Sequence, residues 1–180
     1  TLVAVDDLYR PYRPKRRTRA TIAKEKGLEP LAEVLIKQDI SDTSAENLAL
    51  DYIDAEKGVE TAEDALNGAM DIIAESISDN ADYRKAIRSM TMRSGMIVSK
   101  AAKEEDSVYR LYYDFSEPVS KLANHRLLAI NRGEKEGFLT VKLTAEEEPI
   151  INYLYRRLTP KKRAVTTEYV ERAAEDAYKR

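Results

Sequence analysis

Thr61–Asn80, TAEDALNGAMDIIAESISDN, is the stretch whose reading decides the fold. Ala62, Ala65, Leu66, Ala69, Ile72, Ile73 and Ile77 recur three and four positions apart, the spacing of one helix face. Thr61 followed three residues later by Asp64 has the form of a capping box, in which each side chain satisfies an amide of the other at the helix start. The alanines on the apolar face let a neighbouring helix approach closely. A capped amphipathic helix of this length predicts a body made of helices packed on helices.

Working outward, the same period recurs on both sides. Thr18 is placed to cap a short helix over 19–26 that Gly27 stops. The spacing predicts a helix over 29–37, with Pro30 in its first turn and Leu31, Val34 and Leu35 inward. Ser44 precedes a helix carrying Leu48, Tyr52 and Ile53 on one side. Asp79 or Asn80 restarts the chain into a helix lined by Tyr83, Ala86, Ile87 and Met90, which Gly95 ends. Met96–Ser99 reads as a brief strand. Tyr109, Tyr112, Tyr113 and Phe115 read as an aromatic cluster in a helix or its end, with Pro118 as the interruption. A helix over 125–132 closes near Gly133 and Gly137. Phe138–Leu143 alternates as a strand does. Thr144 then caps a helix with Ile150, Ile151, Leu154 and Leu158 inward. Thr166 or Thr167 caps the last helix, with Val170, Ala173, Ala174 and Ala177 inward. The expected class is mainly α: a multi-helix, bundle-like assembly with one or two short strands. The expected blocks are 1–60, a basic loop and helices; 61–144, a helical core; and 145–180, the C-terminal helices.

Composition agrees with a folded helical protein. The 180 residues are 43% apolar and 34% charged, with only 6 Gly and 6 Pro. Good helix formers are plentiful. The absence of Cys excludes disulfides and thiolate metal sites. No apolar run approaches the length of a membrane span, so no membrane partner is expected, and the lack of Cys is compatible with the cytoplasmic location expected. The chain opens on Thr1 in the pattern Leu2, Val3, Val5, Leu8, and is expected to be part of a longer protein.

The net charge of -2 hides a segregation. From Arg10 to Lys26 there are eight basic residues and one acidic, Glu25; from Asp39 to Asp82 there are thirteen acidic and one basic, Lys57. A smaller basic group, Arg156, Arg157, Lys161, Lys162 and Arg163, lies near the C-terminus. Such segregation makes local fields that attract polyanions while the whole stays near neutral. In RPYRPKRRTR (residues 10–19) the prolines hold the backbone extended, so that Arg13, Lys15, Arg16, Arg17 and Arg19 can follow a phosphate chain. Thr18 opens a helix whose first amides can also meet a phosphate. The bland alternative is a solvated loop, or one that pairs with the acidic middle of the same chain. The Pro11 to Pro14 spacing also fits a minimal PxxP ligand.

No constellation of nucleophile, base and acid can be named, so no catalytic residue, and no enzyme, is expected. His125 is alone, without metal partners. Glu146, Glu147 and Glu148 fall in a first helical turn, where the dipole favours acids. There is no phosphate loop of the GxxxxGK-S/T kind and no dinucleotide fingerprint. No metal, cofactor or small-molecule substrate is expected. The tyrosines at helical spacing read as packing residues before base-stacking ones.

Two stretches resemble signatures of one family. DLYRPYRPKRRTRATIAKEKGLEPLA (Asp7–Ala32) and HRLLAINRGEKEGFLTV (His125–Val141) are similar to separate signatures of the Tex family. DALNGAMDIIAESISDNADYRKAIR (Asp64–Arg88) and the segment from Gly95 to Lys100 resemble it in order and spacing. One departure is Ala123-Asn124, where the family often has Pro-Ser. Tex proteins are bacterial transcription accessory proteins related to a eukaryotic elongation factor. The resemblance implies a long chain with a helical N-terminal region, a YqgF-like domain, helix-hairpin-helix elements and a C-terminal S1 domain. The 180 residues would fall in the helical region, with those three modules outside them. It implies a nucleic-acid-associated accessory protein whose partners are RNA or DNA, bound without sequence preference, and the transcription machinery. The competing expectation is a protein-interaction scaffold whose basic loop only packs against other domains. Arg126, Arg132, Glu134 and Glu136 are read as ion-pairing residues, and Gly133 and Gly137 as turn positions.

Overall fold

The computed structural model describes residues 1–14, 16–39, 43–103 and 105–180. The chain is mainly α, with nine α-helices and three short strands among the described residues. It forms two compact units, Thr1–Lys85 with Ile151–Arg180, and Ala86–Ile150.

In the first unit, α5 (Ala62–Asp79) is the centre. The predicted capping box is present: the Asp64 amide donates to Thr61 Oγ1 at 3.0 Å and the Thr61 amide to Asp64 Oδ2 at 3.0 Å. Around α5 pack α2 (Arg19–Glu25), α3 (Glu29–Lys37), α4 (Ala45–Leu50) and α9 (Thr167–Lys179). The alanine rows explain how one helix takes four neighbours. Ala65, Ala69 and Ala74 of α5 and Ala173, Ala174 and Ala177 of α9 are buried, as are Ala20 and Ala23 of α2. Small side chains bring backbones close, and larger residues fill between them: Leu28, Leu31, Leu35, Ile73, Leu154 and Val170 are fully enclosed. Each such side chain contributes about 1.5–3 kcal/mol relative to exposure. Gly68 shows the closeness, since a Cβ there would stand 2.4 Å from Leu28 Cδ1.

Helix α1 (Leu2–Tyr9) reverses the usual pattern. Its buried residue is Asp7, which takes a 2.8 Å hydrogen bond from Arg84 Nε, while Leu2, Val3, Val5 and Leu8 are exposed. Two other expectations are corrected. Val34 is 36% exposed, because α3 turns Leu31, Ala32 and Leu35 inward and leaves position 34 on its flank. Helix α4 ends at Leu50, before Tyr52 and Ile53, and buries Ala45 and Ala49 in place of the larger residues. Asn80 does restart the chain: its Oδ1 accepts from the amides of Asp82 and Tyr83 at the start of α6 (Ala81–Ser94). The residues of α6 are at most half-buried. Helix α8 (Glu147–Leu158) buries Ile150 and Leu154; Ile151 and Leu158 are only half-buried. Thr166 precedes α9 without a side-chain cap, and Thr167 Oγ1 accepts from the Ala164 amide. No helix among the described residues is long and apolar enough to cross a membrane.

The second unit holds an antiparallel sheet of β1 (Met96–Ala101), β2 (Asp114–Pro118) and β3 (Leu139–Thr144) in the order β2-β1-β3. The register pairs Ser99 with Phe115 on one side and with Val141 on the other. The strand count exceeds the expected one or two because of β2. The aromatic cluster is not α-helical: Arg110–Tyr112 is a single 3-10 turn and Phe115 lies in β2. Aromatic residues suit strands as well as helices, and Pro118, which has no amide to donate, is tolerated at the end of an edge strand. Thr144 ends β3 and its hydroxyl donates to the Met96 carbonyl, so it does not cap α8. Among the described residues the core here is small: Tyr109, Ile130, Leu139, Ile150 of α8 and the side chain of Ser99, whose hydroxyl donates to the Tyr112 carbonyl.

Helix α7 (Asn124–Lys135) packs on β3. Gly133 is not a turn residue but lies within α7, where a Cβ would come 2.7 Å from Leu139 Cδ1 and 3.0 Å from the Tyr109 ring. Gly137, with φ +76, is the turn residue and leads into β3.

Candidate nucleic-acid interface

The basic stretch leaves α1 through a 3-10 turn, Arg10–Tyr12. Its start is therefore not extended: the fixed φ of Pro11 suits a 3-10 turn as well as an extended chain. Arg10 closes this turn onto α5, with Nε 3.0 Å from Asp79 Oδ1. Arg13 is extended, at φ -67 and ψ 134, and its guanidinium stands 3.9 Å from Asp6, both largely exposed. Lys15 lies outside the described residues. Arg16 is exposed and makes no ion pair among the described residues. Arg17 donates to Glu25 at 2.7 Å, again between exposed groups.

Arg19 differs from these. It lies 3.2 Å from Asp71 of α5 and 3.0 Å from Asp176 of α9. Arg180 joins the same two carboxylates, 2.6 Å from Asp71. Asp176 is desolvated, which alone would raise its carboxyl, but Arg180 and Arg19 hold it below the usual value. The structure thus places Arg13, Arg16 and Arg17 on an exposed run and Arg19 in a four-membered network joining α2, α5 and α9. Thr18 caps α2 as expected, and its hydroxyl also meets Glu75 at 3.2 Å. Because Thr18 already takes up the Thr21 amide at 3.0 Å, that amide is not free for a phosphate.

A groove of about 680 Å³ runs beside the stretch, with Pro11 and Arg13 on its rim and Ile72 and Ile73 among its lining. Its wall carries Arg13 and Lys24 against Glu29, Glu33, Glu75 and Asp79. The acidic excess makes it unsuited to a phosphate chain, and Arg16 and Arg17 do not line it.

Of the other residues singled out from the sequence, Arg126 and Tyr109 make contacts within the fold. Arg126 donates to Glu117 at 2.8 Å. Burial, and then a hydrogen bond to Glu136, push the Tyr109 hydroxyl above its ordinary pKa. His125 is exposed in the first turn of α7 and makes no hydrogen bond among the described residues. Glu147 and Glu148 sit in the first turn of α8. Among the described residues no three metal-ligating side chains converge. Sequence reasoning missed Arg84, which holds the buried Asp7, because an arginine inside an amphipathic helix carries no sign of a partner 77 positions away.

Residues 41–178 match a family model described as Tex central region-like. The chain is 44% identical, over 99% of its length, to "Uncharacterized protein YdcI" of Bacillus subtilis, of which it covers 25%. It is 42% identical, over 80% of its length, to "Protein tex" of Bordetella pertussis, covering 18% of that protein. It is 37% identical, over 78% of its length, to "Transcriptional accessory protein Tex" of Neisseria gonorrhoeae, again covering 18%. The chain therefore spans a quarter or less of these relatives. It belongs to the Tex family, whose central region it carries in residues 41–178.

Proposed function

We propose that this chain is the helical scaffold of a cytoplasmic transcription accessory protein, and that it contacts nucleic-acid phosphates without catalysing a reaction. The family supports the accessory role, and the printed name of the Neisseria gonorrhoeae relative describes that role for that protein. Arg16 carries the phosphate-contact reading. It is an exposed guanidinium with no carboxylate partner among the described residues, set between Arg13 and Arg17. The ion pairs of those neighbours are exposed, and such pairs are worth about 0–1 kcal/mol. A phosphate can replace Asp6 or Glu25 at little cost. Contacts of this kind set position and strength but do not read bases, so RNA and DNA are both admitted.

The second reading, a protein-interaction scaffold, is favoured by Arg10 and Arg19. Both are spent on carboxylates of the helical unit, as a loop that only packs would be. Binding of labelled single-stranded RNA and duplex DNA across a salt series tests the choice. Four phosphates met by Arg13, Lys15, Arg16 and Arg17 give a log–log slope of about -3 to -4 on duplex. Arg16→Glu with Arg17→Glu is expected to weaken binding and leave the circular dichroism unchanged. No binding by the unaltered chain at low salt refutes the phosphate reading. Loss of fold in the double variant supports packing.

A further inference from the structure

The second basic group is spent on the fold far less than the first. Arg156-Arg157-Leu158-Thr159-Pro160-Lys161-Lys162-Arg163 holds five cations and no acid. Arg163 is accounted for: its two terminal nitrogens reach the Glu171 carboxylate at 2.8 and 2.7 Å, tying the loop to α9. Arg157 lies with its guanidinium carbon 5.8 Å from the centre of the Tyr153 ring, and has no carboxylate partner among the described residues. Arg156, Lys161 and Lys162 are exposed and make no ion pair among the described residues. The negative end of the α8 dipole favours Arg156 and Arg157 in its last turn, but that field fades within a turn. It does not account for Lys161 and Lys162, which follow Pro160.

Folding therefore leaves four cations close together along the chain, each repelling the others, with no carboxylate countercharge among the described residues. A polyanion removes that repulsion and releases its own counterions. The surroundings select the kind of polyanion. The Tyr153 ring is already engaged, with the Arg157 guanidinium over it and Tyr83 in a T-shaped contact at 6.5 Å. A ring held by such contacts is a poor stacking platform for a base. Within this segment Val165 alone is an exposed large apolar residue, too little for the apolar face that a membrane-surface helix buries. Two guanidinium groups at the end of α8 and two ammonium groups in the exposed connection after it suit the phosphates of a nucleic-acid strand.

We propose that Arg156, Arg157, Lys161 and Lys162 form the principal phosphate-binding surface of this chain, taking the sugar–phosphate backbone of RNA or DNA without reading its bases. This rests on the reading that the chain engages nucleic acid, and moves the main contact from the 13–19 stretch to the α8–α9 turn.

The test uses the 180-residue chain and labelled single-stranded RNA and duplex DNA, followed by anisotropy over a salt series. Lys161→Gln with Lys162→Gln lies outside any helix and touches no fold contact among the described residues. It is expected to weaken duplex binding about tenfold at low salt and to make the salt slope shallower by about 2. Its thermal midpoint should not move. Arg156→Gln with Arg157→Gln serves as a second pair and should act in the same direction. Arg16→Glu with Arg17→Glu should have the smaller effect. If both C-terminal pairs bind as the unaltered chain does while Arg16→Glu with Arg17→Glu abolishes binding, the proposal fails and the phosphate reading stands. If the unaltered chain binds neither nucleic acid at low salt, both fail. If poly-glutamate of matched charge displaces nucleic acid as well as unlabelled RNA does, the surface is one for acidic polypeptides and the proposal is overturned.

Discussion

The helical unit and the sheet unit of this chain are stabilised in different ways. In the helical unit, alanine rows on α2, α5 and α9 bring backbones together, and Leu28, Leu31, Leu35, Ile73, Leu154 and Val170 fill the remaining space. In the sheet unit, β1 to β3 and α7 share a short set of enclosed side chains around Tyr109, Ile130 and Leu139, and many others are half-buried. Small cores bury a smaller share of their surface and are correspondingly marginal. The difference teaches where a change will be felt. The helical unit depends on volume filled at many points, whereas the sheet unit depends on one close approach.

The largest effect expected is from removing filled volume. Leu35 is 0% exposed on α3. Leu35→Ala should cost about 2–5 kcal/mol, the sum of lost transfer energy and an unfilled cavity. Urea unfolding gives the value, and amide exchange should show protection lost across α3 and α5. A cost under about 1 kcal/mol would break the comparison, because it would mean that the alanine-lined interface collapses freely around a gap.

The sheet unit is probed at Gly133. Any Cβ there meets Leu139 Cδ1 at 2.7 Å, Leu139 Cγ at 3.0 Å and the Tyr109 ring at 3.0 Å. Gly133→Val gains a little helix propensity but overfills the contact, for a net loss of about 1–3 kcal/mol. Exchange should rise in β3 and the near-ultraviolet signal of Tyr109 should change. A variant as stable as the parent would show that α7 can lift from β3 at no cost, and that the close approach is not what holds this unit.

These two sites also mark how far the sequence can be read. Leu35 was legible, because apolar spacing on a helix reports the buried face directly. Its neighbour Val34 was not, since one helix turn offers two adjacent apolar positions and only the packing partner selects between them. The same holds in α4, where close approach chose Ala45 and Ala49 over Leu48. Gly133 was visible as a glycine, but its reason, a leucine six positions on that returns in β3, is tertiary. Strand β2 was hidden because Tyr112, Tyr113 and Phe115 fit a helix period and a strand equally. At the candidate site the positive charges were plain and their partners were not. Arg19 finds Asp176 157 positions away, and Arg10 finds Asp79 69 positions away. Charge counts along a chain report a local field, whereas the free cations are those left after folding has taken its share.

The smallest effect, and the sharpest on the helical unit, concerns its tyrosine–carboxylate pairs. Tyr169 of α9 donates to Glu46 of α4 at 2.6 Å, and Tyr155 of α8 donates to Glu175 of α9. Burial first, and then the hydrogen bond to Glu46, push the Tyr169 hydroxyl up to about 12. Burial and Glu175 raise Tyr155 as well. An unfolded tyrosine ionises near 10, so the folded chain keeps protons that the unfolded chain gives up in this window. The contribution of Tyr169 is accordingly complete below about pH 10 and disappears as the pH rises towards 12. After allowance for solvent screening it amounts to roughly 1–2 kcal/mol. Tyr169→Phe cannot ionise, so its stability should fall less steeply between pH 10 and 12 than that of the parent, with tyrosinate absorbance reporting the ionisation. Equal slopes for parent and variant would mean that Tyr169 titrates as freely as in the unfolded chain, and that α4 is held to the helical unit by Ala45 and Ala49 alone.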